Sequence, residues 1–161
     1  MEKVVFQQAI ARITAQAAYF TGKGALPPTV QAWFEGQPED ALQNKNDNFG
    51  FDCPALFYQF GTTKYSALNN IHMNSAGELT VHVVQNKVGK DTRNGGETHA
   101  AFIADLNYAD YVIDLLHFYK MPCSARLIMK DVERDHTNRP LMIEKIHFTW
   151  NGRRRKDSAA P

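Results

Sequence analysis

Asp131, Glu133 and Asp135 alternate along one stretch of the chain and are the residues whose types and spacing best suit chemistry. In an extended strand successive side chains point to opposite faces, so carboxylates two apart project together. Hard oxygen ligands in that arrangement suit a divalent cation and, with it, metal-assisted hydrolysis. The competing reading is a solvated sheet face, paired with Arg126 or Arg134 of a neighbouring subunit. Further on, Arg153, Arg154, Arg155 and Lys156 form a basic run. Such a run grips phosphates with steep salt dependence, rests in solvent as a tail, or docks on an acidic protein patch. These seven residues are candidate partner-binding positions; no catalytic or metal-ligating residue is assigned.

The remaining reactive side chains lack supporting patterns. His72, His82, His99, His117, His136 and His147 show neither HExxH nor another ligand spacing. Only His136 and His147 are placed to approach each other, across a hairpin. There is no GxSxG, and Cys123 follows Pro122 without an evident base. Gly89, Gly95 and Gly96 match neither the P-loop nor GxGxxG. Cys53 and Cys123 lie far apart without CxxC spacing, as expected of reduced thiols. A non-enzymatic protein without a cofactor is the expectation.

The elements that must carry these residues follow from hydrophobic periodicity. Phe6, Ile10, Ile13, Ala17 and Phe20 recur at helical spacing, predicting an amphipathic helix over Lys3 to Thr21 that stops at Gly22 and Gly24. Residues 22–52 read as a long polar loop, with a short strand at Val30 to Phe34. Pro54 to Phe60 reads as a strand. Tyr65 to Met73 and Glu78 to Asn86 flank Asn74-Ser75-Ala76-Gly77, which reads as a hairpin turn. After a glycine-bearing loop at 87–96, Phe102, Leu106, Ala109, Ile113 and Leu116 predict a second helix over His99 to Tyr119, interrupted near Asn107. Ala125 to Arg134 and Leu141 to Trp150 form a closing strand pair. The fold class expected is α+β, a mostly antiparallel sheet with two amphipathic helices packed on it, in the order α-β-β-β-α-β-β. Residues 1–152 form a single domain on this reading, and 153–161 a flexible basic tail.

With 161 residues, 43% apolar and 22% charged, the chain has the ordinary balance of one globular domain. Its net charge of +1 hides a gradient: residues 1–52 carry 4 basic and 6 acidic groups, residues 121–161 carry 9 and 5. No stretch approaches the roughly 20 apolar residues of a membrane span, and the N-terminus lacks a secretory pattern. Assembly in a cytoplasm is the corresponding expectation.

Several segments together resemble a known family. They are the leading helix, Pro54 to Phe60, the hairpin ending in Glu78 to Gln85, the helix through Tyr111 to Leu116, and the closing run Glu133 to Trp150. This order resembles the tail-terminator (tail-completion) and minor-tail proteins of long-tailed bacteriophages, over most of residues 3–150. The resemblance implies a virion protein assembled in the host bacterial cytoplasm. It would be a ring, commonly a hexamer, that stops growth of the tail tube and meets the head-closure or connector protein, with passive contact to passing DNA. It implies no active site. The 22–52 loop is longer and more polar than a minimal member needs, which leaves a head-closure or other neck position open. Two readings of other classes stand beside it: a nucleic-acid-binding module using the basic C-terminal segment, and a metal-dependent hydrolase on Asp131, Glu133 and Asp135.

Overall fold

Leu79, Val81 and Val83 alternate with Glu78, Thr80 and His82, so one face of that strand must be covered. The computed structural model shows how, and describes residues 2–32, 52–69, 72–86, 106–121, 125–135 and 141–155. Its elements are α1 (Glu2–Thr14), α2 (Ala17–Gly22), β1 (Thr29–Ala32), β2 (Ala55–Phe60), β3 (Lys64–Ala67), β4 (His72–Asn86), α3 (Tyr108–Leu116), β5 (Arg126–Asp135) and β6 (Leu141–Arg155). The strands form one six-stranded sheet in the order β1-β2-β4-β6-β5, with β3 also paired to β4. All pairings are antiparallel except the short parallel contact of β1 with β2. The α+β class and the order of elements are as expected, with the first predicted helix divided in two.

The helices cover one face, called inner below. Leu56 and Tyr58 of β2, Leu79, Val81 and Val83 of β4, and Ile146, Phe148 and Trp150 of β6 share a core with Val5, Ala9 and Ile13 of α1 and Val112, Leu115 and Leu116 of α3. Burying that apolar area is the main driving force for the fold. The chain turns at Ala15 and Gln16, and Phe20 of α2 then stacks on Tyr108 at 5.2 Å. Polar ties fix the helices to each other: the Tyr19 hydroxyl donates to Asp114 at 2.8 Å and the Tyr108 hydroxyl to the Leu26 carbonyl at 2.8 Å. Gly24, at φ 76°, takes the left-handed conformation that closes α2. A smaller apolar cluster of Ala55, Phe57, Val84, Leu141 and Ile143 lies on the opposite, outer face.

Two expectations are corrected. The Asn74 to Gly77 segment is no turn but lies within the first half of a continuous β4, and the hairpin lies between β3 and β4 instead. Gly77 serves close approach, not a turn: a Cβ there would stand 2.7 Å from the Trp150 indole. Arg153, Arg154 and Arg155 do not belong to a tail; they extend β6, opposite Asn74, Met73 and His72 of β4. Lys156, the rest of the expected tail, most of the 22–52 loop, the 87–96 loop, residues 99–105, Cys123 and His136 lie outside the described residues.

Candidate functional site

The outer face of the sheet gathers the polar side chains, and a β-bulge decides which ones reach it. In β5, Leu127 and Met129 face the core, then the register shifts between Met129 and Asp131. Beyond the shift Val132 faces the core and Asp131 and Glu133 turn outward, opposite His147 and Lys145 of β6. His117, just past α3, marks the same place: its Nδ1 accepts the Met129 N–H at 3.0 Å. Two backbone bonds, Phe118 N–H to the Leu127 carbonyl and Leu127 N–H to the Tyr119 carbonyl, cover the start of β5 along its outer edge.

Asp131 and Glu133 are thus brought together, beside Lys145 and His147. His147 Nε2 lies 3.8 Å from Asp131 and 3.7 Å from Glu133, and Lys145 Nζ lies 3.6 Å from the second Glu133 oxygen. Thr80 Oγ1 holds the other ring nitrogen of His147 at 3.1 Å. Asp135 pairs through its backbone with Ile143. Among the described residues, no three His, Cys, Asp or Glu side chains converge as a metal cage. His82, buried beside this group, hydrogen-bonds Gln59 at 2.9 Å. Burial, with help from Lys145 and His147, pushes its pKa down to about 4.

Beyond the Ala76–Asn151 pair the sheet narrows to β3, β4 and β6, which project as an arm with Arg126 of β5 at its base. Every residue of β3 is exposed, as are Asn74, Ala76, Asn151 and Arg153. The register sets two rows across its outer face: Lys64, Ala76, Asn151 and Arg126, then Ser66, Asn74 and Arg153. Ser66, Asn74, Asn151 and Arg153 line one concavity there. Of the basic run, therefore, the structure places Arg153 on an exposed face and continues Arg154 and Arg155 in the strand.

Sequence reading missed the inner polar group at the other end of the sheet. Glu144 is 1% exposed and pairs with Arg134 Nε at 3.0 Å, while Arg134 reaches Asp110 of α3 at 4.0 Å. Burial raises the Glu144 pKa, and the Arg134 guanidinium only partly opposes this. Gln85, 2% exposed, has no hydrogen-bond partner among the described residues. The signal was the even-numbered parity of Met142, Glu144, Ile146, Phe148 and Trp150, which puts Glu144 on the core face.

No protein-family model matches the chain, and no curated protein matches it. Among solved structures it is similar to a chain described as "Virion of native gene transfer agent (GTA) particle". The two are 10% identical, the match covers 64% of this chain and 72% of that one, and the TM-score is 0.43. Among the described residues no helix is long and apolar enough to cross a membrane.

Proposed function

We propose that this protein is a structural subunit of a phage-like particle, a tail terminator that closes the tail tube as a ring and meets the head connector. The observation that carries the reading is the arm: three strands carried beyond the helix-covered core, with β3 exposed along its whole length. A strand exposed in this way offers its unpaired edge as a template for pairing with another chain. The arm's β3 edge and the part of the β5 edge beyond Met129, which His117, Phe118 and Tyr119 do not bond, lie on opposite sides of the sheet. Joining them is a head-to-tail contact, which closes into a ring when the rotation per subunit allows. The order of elements that resembles the tail-terminator family supports the same reading, with a head-closure or other neck position as the nearest alternative.

This role needs no catalysis, in keeping with a Glu133 carboxylate already paired to Lys145. Light scattering and negative-stain imaging of the purified protein, alone and with tail tubes, test the proposal. Closed rings, expected as hexamers, and capped tube ends are the predicted result. A monomer at high concentration that ignores tubes would overturn it.

A further inference from the structure

We infer that the outer face of the arm is a binding site for the phosphate backbone of double-stranded DNA, formed by Lys64, Arg126 and Arg153 with Ser66, Asn74 and Asn151 between them. The inference does not rest on the ring.

The site is a cross-strand construction that the linear sequence hides. Lys64 of β3 and Arg126 of β5 end one row, through Ala76 and Asn151, and Arg153 stands two residues along β6 from Asn151. With strands about 4.8 Å apart, Lys64 and Arg126 are separated by about 14 Å, and Arg153 is offset by about 7 Å along the strand. That span is comparable with the roughly 12 Å major groove, so these long side chains can reach phosphates on both of its walls. The three cations are exposed and have no ion-pair partner among the described residues.

Charge compensation favours an external polyanion over a second copy of the chain. On the same face Asp131 and Glu133 lie beside Lys145 and His147, and the exposed Glu78 stands two residues along β4 from Ala76; the two rows themselves carry three cations and no carboxylate. Asparagine and serine between the cations add neutral donors for phosphate oxygens, which position a duplex without reading its sequence. The rows carry no aromatic ring on which an unpaired base would stack, and this selects duplex over single-stranded nucleic acid.

Fluorescence anisotropy of the full chain with a labelled duplex, from 20 to 200 mM salt, tests the site. Binding should be insensitive to sequence, and log K should fall against log salt with a slope of about −3 for three neutralised phosphates. The Arg126→Gln/Arg153→Gln variant should bind about tenfold more weakly or worse, with the slope reduced by about 2. The Lys3→Gln/Lys23→Gln variant has the same net charge and should bind like the parent. All four positions are exposed, and unchanged melting curves confirm that each variant is folded. No binding at 20 mM salt, equal loss in both variants, or tighter binding of polyglutamate than of DNA would each overturn the inference, the last by assigning the face to an acidic protein.

Discussion

Glu144 and His82 are buried ionisable groups on opposite faces of the sheet, and they give opposite pH dependences. The folded pKa of His82 lies near 4 against an ordinary value of 6.5, so the ring is neutral in the native state. Its contribution is complete above pH 6.5 and is lost as pH falls toward 4, by up to about 3 kcal/mol. Urea denaturation at pH 7 and pH 4.5 should show this loss in the parent and a smaller one in His82→Gln. Glu144 runs the other way, because its folded pKa is raised. Its contribution is complete below the unfolded carboxylate value and declines as pH rises through the folded one. Glu144→Gln should therefore remove the decline in stability that sets in as pH rises above the ordinary carboxylate value, seen by comparing urea midpoints of the two proteins across pH. Arg134→Ala, which strands the buried carboxylate, should cost about 1–3 kcal/mol at pH 7. An unchanged urea midpoint in that variant would show that the pair is not held as described.

At the scale of elements, the two tightest local constraints are the Gly77–Trp150 contact and the bulge of β5. Gly77→Ala puts a methyl group against the Trp150 ring and should lower stability by about 1–3 kcal/mol, seen as a lower Tm. His117→Ala removes the acceptor of the Met129 N–H and should cost about 1 kcal/mol. These features also mark where the sequence was hard to read. The core faces of β4 and β6 were plain, because Leu79, Val81, Val83 and Ile146, Phe148, Trp150 keep strict period 2. Gly77 looked like a turn residue, since sequence does not distinguish a glycine needed for positive φ from one needed for closeness. Asp131 and Glu133 were rightly placed on one face, but the shift in β5 that puts them there was not seen. Its trace is the three-residue step from Met129 to Val132 in the apolar series. The break at Ala15 and Gln16 was also missed, as alanine and glutamine are good helix formers and tertiary packing of Phe20 decides the turn.

At the scale of the whole molecule, the proposed ring makes a demand on the arm. Tyr65 and Leu68 are 47% and 45% exposed on it, large apolar groups beside an open strand edge. Tyr65→Lys/Leu68→Lys should shift rings to monomers in light scattering while leaving Tm within a few degrees of the parent. An unchanged ring would move the subunit contact away from the arm. What the sequence could not supply at this scale was juxtaposition. Lys64, Arg126 and Arg153 come from three segments, and only the register of β3, β4, β6 and β5 sets them on one surface. The basic run was legible; its continuation of a strand was not, because Asn151-Gly152 resembles a strand end.

The long pairing of β4 with β6 also has a mechanical meaning. Fifteen consecutive register pairs join the arm to the helix-covered core, a ribbon about 50 Å long. Tension applied along it loads many hydrogen bonds at once in shear, while a pull across its free end breaks them one after another. The molecule should resist traction on the arm strongly along the strands and yield readily to peeling, so the direction of force, more than its size, would decide whether an assembled subunit holds.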